Sequence, residues 1–266
     1  TRAAILALPE EVPGFFRSSG TAVAHHSVDP DVAKNRGTPY LRGAEYPEHF
    51  LDREYLEGRD LPLDRFAFIR LCQDAGVQPE KVGFLPYALA EWTERLAVAF
   101  AEHRKWPGNP HIQRVCLVYA GYIAHYAQDM CQPLHLTIHW NGRAKPDRSS
   151  PRSGIHLKVD HLIHVVETNP DVLAEGQVIE PLDDLMGGIM DQFRAGHALV
   201  DRVYELEAGL PELGQKDWKP VPEVVAFGEE RAREAVRFTA SLYLTAWEQS
   251  ARVELPSWLD RARTDR

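Results

Sequence analysis

The chain of 266 residues is 44% hydrophobic and 26% charged, which supplies one large core and excludes a disordered polymer. Its longest nearly apolar stretch, 115–126, contains His125 and falls well short of the ~20 residues that a membrane-spanning helix needs. The formal net charge of −9, from 39 acidic and 30 basic residues, argues against wrapping duplex DNA by charge.

The first nine residues read as the back half of a helix without an N-cap, so a segment is expected ahead of Thr1. Apolar residues at three- and four-residue spacing then predict helices over 12–27, 63–75, 85–103, 112–130, 154–167, 182–206 and 222–250. Asp64 and Pro79 open segments, while Gly76, Gly108-Asn109-Pro110 and Gly209 close them. Three loops are expected. The first, 29–48, is polar and holds Pro30, Pro39 and Pro47. The second, 141–153, carries Arg143, Lys145, Arg148 and Arg152, and the third, 209–222, is a plain connector. Alternating β-branched runs are missing and no composition shift marks a boundary. The expected fold is therefore an all-α, single-domain multi-helix bundle over 1–266.

Three cysteines, Cys72, Cys116 and Cys131, make no disulfide framework. Cys116 and Cys131 on one helix would lie roughly 22 Å apart, too far to pair. Cys72 could pair with either, but free buried thiols are the expectation.

Three clusters carry candidate chemistry. His125 and Asp129 are four apart and share one helix face. Pro133 then ends that helix, and His135 can return to the same cavity. Read alone, the cluster also fits an exposed histidine with an incidental aspartate. His156 and Asp160 repeat the spacing, a usual way to present two zinc ligands from one helix, although plain ion pairs look the same. His161 and His164 fall off that face and read as surface or core. The third cluster is His49-Phe-Leu-Asp52, preceded by Asp29-Pro-Asp31 and Lys34; locally it reads equally as a turn with helix capping.

Taken together, the string Gly121-Tyr-Ile-Ala-His125-Tyr-Ala-Gln-Asp129-Met-Cys-Gln-Pro-Leu-His135, followed by His156-x-x-x-Asp160, resembles a known superfamily. That superfamily comprises the zinc-dependent bacterial phospholipases C and the single-strand-specific three-zinc nucleases. Asp31 with His49-Phe-Leu-Asp52 is similar to its earlier ligand aspartate and its His-Phe/Tyr-x-Asp motif. The matching motifs lie between Ser27 and Asp160.

The resemblance implies a zinc phosphodiesterase. Asp31, His49, His125 and Asp129 would bind one zinc, and His135, His156 and Asp160 a second. Asp129 would also bridge to a third. Asp31 is favoured over Asp29 because Lys34 then falls where the nuclease branch has an arginine that pairs with the aspartate equivalent to Asp52. Asp29 stays an alternative. Two to three zincs would clamp phosphate oxygens and activate water, with Asp31 orienting or deprotonating that water.

Phospholipid is expected as substrate ahead of single-stranded nucleic acid. The Gly-Gly-Asn stretch of the nuclease branch is replaced here by His135-Leu-Thr-Ile-His139-Trp-Asn-Gly-Arg143. A transient membrane-surface contact accompanies that expectation, and a non-catalytic zinc-binding scaffold is the alternative from another class. The family's processing implies a secreted or periplasmic protein. Its third zinc uses the amine and carbonyl of an N-terminal tryptophan and an early histidine. From Thr1 onward only Asp129 serves that position, with His25 or His26 at best. Two firm zincs and loosely anchored first residues are the expectation.

Overall fold

Helical periodicity is realised almost throughout the computed structural model, which describes residues 1–166 and 169–262. Five short helices come first: α1 (Arg2–Leu6), α2 (Gly14–Arg17), α3 (Gly20–His26), α4 (Asp29–Ala33) and α5 (Pro39–Glu45). Then follow α6 (Arg65–Asp74), α7 (Pro79–Val82) and two long helices, α8 (Leu85–Lys105) and α9 (Pro110–Cys131). The remainder is α10 (Ile155–Val165), α11 (Pro170–Ala174), α12 (Leu185–His197), α13 (Val200–Leu206) and α14 (Pro222–Gln249). Among the described residues there is no β-strand, only an isolated bridge between Trp140 and Gly142. The protein is an all-α, single-domain bundle.

The helices α8, α9 and α14 pack on one another around the main core. Phe16 of α2 plugs it, with ring centroids 5.1 Å from Phe100 and 5.3 Å from Tyr243. Edge-to-face aromatic contacts of this kind add to area burial, and the buried Tyr243 hydroxyl donates to the Ala120 carbonyl at 2.8 Å. Trp92, Trp106 and Trp247 pack against this core, and Trp218 against a smaller cluster of Leu134, Ile155, Leu162, Val203 and Phe227. The smaller cluster seats the chain that leaves α9 against α10, α13 and α14. Cys72, Cys116 and Cys131 are all free and buried. Burial pushes the Cys72 thiol up to about 11 and the Cys116 thiol up to about 12.

Asn109 caps α9 by accepting from His111 N and Ile112 N, and Asp64 caps α6 through Ala67 N. Halfway along α9, Gly121 lets α3 approach closely. A Cβ there would lie 2.4 Å from His26 Cβ, far inside contact distance.

Four expectations need correction. The helix over 12–27 is two helices, because the Ser18 and Ser19 hydroxyls both bond the Phe15 carbonyl and compete with the backbone ladder. The helix over 182–206 begins at Leu185 and breaks after His197, where Leu199 N bonds Gly196 O in a tighter turn. The loop over 29–48 is largely helical: Pro30, Pro39 and Pro47 occupy first-turn positions of α4, α5 and a 3-10 turn, Tyr46–His49, where proline loses no hydrogen bond. The first residues are firmly held. Ala3, Ala4 and Ile5 are buried, and Thr1 Oγ1 accepts from Gln128 Nε2, so apolar packing anchors them. The helix expected over 154–167 is α10, and Glu167 lies outside the described residues.

Candidate metal centre

Helical spacing brings His125 and Asp129 to one face near the end of α9. Gln132 then closes the turn by accepting from Leu134 N, and Pro133–His135 forms a 3-10 turn. This turn is clamped to the segment carrying His49. Leu51 N bonds His135 O at 2.9 Å, and His135 Nδ1 donates to His49 O at 2.8 Å. Asp31 comes from α4, while His156 and Asp160 stand one turn apart on α10.

The seven side chains converge from four stretches of chain. His125 Nε2 lies 3.0 Å from His49 Nδ1, 3.4 Å from Asp129 Oδ2 and 3.8 Å from Asp31 Oδ1. Asp129 Oδ2 is 3.0 Å from His49 Nδ1, and its other oxygen is 3.6 Å from His135 Nδ1. The His135 and His156 rings sit 4.8 Å apart, and His156 Nε2 is 3.2 Å from Asp160 Oδ2. Two triplets result, Asp31–His49–His125 and His135–His156–Asp160, each with donor atoms within 4.8 Å of one another. Asp129 lies between them.

The hydrogen bonds around the rings favour a cation over a plain ion-pair network. His125 Nδ1 must donate to the Ser27 carbonyl, 2.8 Å away, so Nε2 is the ring atom that faces His49, Asp129 and Asp31. His135 likewise commits Nδ1 to the His49 carbonyl and leaves Nε2 as the donor atom. Backbone carbonyls fixing the second nitrogen are the usual support of a ligating imidazole. His49 Nε2 is buried without a hydrogen-bond partner. Glu45 Oε1 stands 3.8 Å from it and accepts from the Tyr126 hydroxyl. Once His49 Nδ1 binds a cation, Nε2 carries the ring proton and points to Glu45. Nitrogen and carboxylate donors in two compact sets suit zinc, so the residues fit the ion.

Charge tuning agrees with that donor role. Burial raises Asp129, but His125, His135 and His49 outweigh it and hold the carboxyl well below the usual range. Asp160 shows the same balance, with burial opposed by His156. Burial pushes His135 down against the pull of Asp129, which favours the neutral ring that a metal requires. Asp129, His135 and Asp160 open onto a cleft of about 230 Å³ walled by Val159, Phe227 and Arg231.

Other candidates fall elsewhere. Asp29 is bonded to His26 Nδ1 at 2.8 Å, and neither belongs to a donor triplet. Lys34 pairs with Asp31 itself, and no Lys34–Asp52 ion pair occurs among the described residues. Asp52 is buried, and burial pushes its carboxyl well up, with Glu54 adding to the shift. His161 and His164 face each other, with His164 exposed. In the basic loop, Arg143 pairs with Asp201 and lies over Tyr204, and Arg148 pairs with Glu57. Trp140 meets His156 edge to face at 5.8 Å. Sequence reasoning missed Glu45 and the Ser27 carbonyl. Glu45 and His49 do show the i, i+4 signal, but within a stretch read as loop. No protein-family model matches the chain, and no curated protein matches it.

Proposed function

We propose that the chain is a zinc-dependent phosphoric ester hydrolase, phospholipase C-like in the bond it cleaves. The observation that carries this reading is the pair of adjacent His/Asp triplets with Asp129 between them, opening onto a cleft. Zinc held there supplies Lewis acidity toward phosphate oxygens and an attacking water. Asp129 sets the spacing of the two triplets, and the Ser27 and His49 carbonyls fix the rings of His125 and His135. Asp31, at 57% the most exposed of the seven side chains, reaches solvent where it can orient the water and take its proton. Val159 and Phe227 give the cleft an apolar wall for the remainder of the substrate.

Phospholipid is preferred over single-stranded nucleic acid because Arg143 and Arg148 are already paired, which leaves less free charge for a polyanion. Export to the periplasm or medium belongs to the same reading. The deciding experiment assays the zinc-loaded protein in parallel on a phosphatidylcholine analogue, single-stranded DNA and a simple soluble phosphodiester. Cleavage of the lipid analogue and the diester is expected. Cleavage of DNA alone would make it a nuclease, and cleavage of none would leave a zinc-binding scaffold.

A further inference from the structure

The segment from Val28 to Tyr46 projects beside Asp31 and carries an unusual concentration of exposed apolar side chains. Tyr40 is 95% exposed and Val32 65%; Val28, Leu41 and Tyr46 are exposed as well. Over this segment Lys34, Arg36 and Arg42 stand against Asp29, Asp31 and Glu45. Lys34 is taken by Asp31, Asp29 bonds His26 and Glu45 is buried, so Arg36 and Arg42 are the cations that no carboxylate holds among the described residues. The projection is braced. Arg42 bonds the Lys34 carbonyl and lies over the Tyr46 ring at 4.9 Å. Its inner end is fixed by Glu45, which is buried against Tyr126.

We infer that this α4–α5 lip docks the protein on a phospholipid surface and so delivers head groups to the metal centre. The inference builds on the hydrolase reading for its purpose. Aliphatic side chains gain by entering the acyl boundary, tyrosine settles at head-group level, and lysine or arginine meets lipid phosphate. All three kinds are present here on one short projection. A polynucleotide would use the tyrosines and the cations but would draw nothing from Val28, Val32 and Leu41, because strand binding rests on stacking and charge.

The test is co-sedimentation of the zinc-loaded full chain with vesicles of phosphatidylcholine, and of phosphatidylcholine mixed with phosphatidylglycerol. Binding is expected, stronger on the anionic mixture. The double variant Tyr40→Ser/Leu41→Ser removes two apolar side chains and should bind about tenfold more weakly or worse, with its zinc content retained. Both side chains are exposed, so the fold does not depend on them. Equal binding by variant and parent, or no binding by the parent, overturns the lip. So does a variant that loses affinity for single-stranded DNA when the parent ignores vesicles. A parent that binds vesicles yet cleaves no phosphodiester leaves the lip standing and removes the hydrolase reading. One that cleaves a soluble diester and ignores vesicles removes the lip alone.

Discussion

Glu45 touches no other member of the donor set, yet it stands behind the buried nitrogen of His49. Supporting carboxylates of this kind commonly govern metal affinity by 10–100-fold. Glu45→Gln should therefore weaken zinc binding by about that factor in a chelator competition, with the helical circular dichroism unchanged. A second carboxylate, Glu54, braces the chain just after His135. It accepts from Thr137 Oγ1, Ile138 N and His197 Nε2. Burial raises Glu54, but the bonds from His197 and Thr137 outweigh it and bring the carboxyl to about 2, below the ordinary value of 4.5. A folded-state value below the unfolded one means stability that is full above about 4.5 and lost as pH falls toward 2. The urea midpoint of the parent should drop across that window, and that of Glu54→Gln should drop less. Asp52 carries the opposite sign. Its raised carboxyl opposes folding at neutral pH, so Asp52→Asn should melt at a higher temperature.

At the scale of elements, α9 supplies two donors and is closely approached by α3 at Gly121. Gly121→Ala would drive a methyl into His26 Cβ and the His26 backbone, and overpacking of this kind costs about 1–3 kcal/mol. Ser27 follows directly and its carbonyl orients His125. Both the melting temperature and zinc affinity should therefore fall in this variant. On α10, His156→Ala or Asp160→Ala removes one of three donors of a triplet. About one zinc per chain should be lost and hydrolysis should collapse, while helicity persists because packing of apolar faces sustains the helices. Normal zinc content in Asp160→Ala would contradict that donor role. The His125/Asp129 and His156/Asp160 pairs were legible in the sequence because a 3.6-residue period puts such spacing on one face. The choice between Asp29 and Asp31 was not, since it depends on whether His26 folds back to take Asp29. Nor was the helical character of 29–48, where first-turn prolines look the same as loop prolines.

For the whole molecule, the long helices and the overall class followed from periodicity, whereas the way remote segments meet did not. Nothing local brings Phe16 against Tyr243 or His49 against Asp129; burial and donor complementarity bring them together. Because the seven candidate donors come from four stretches of chain, zinc should bind the folded arrangement far better than the unfolded chain. Each site at a free-metal level 100-fold above its dissociation constant should add about 2.7 kcal/mol. The melting temperature should rise with added zinc, and a chelator should reverse the rise.

The two i, i+4 His/Asp pairs also bear on the order of events during folding. Each pair is a chelate carried by a single helix, so any chain with α9 or α10 transiently formed already offers half a site. Asp31 and His49, the partners of His125 and Asp129, lie on N-terminal segments that dock on α9, and α1 and α2 of the same region also pack on α14 from the far end of the chain. Zinc captured early would therefore hold the two pairs in incomplete or mismatched coordination, and escape would require release of the ion. Refolding from urea should be slower, with more aggregation, when zinc is present from the first moment than when it is added after the apo chain has collapsed.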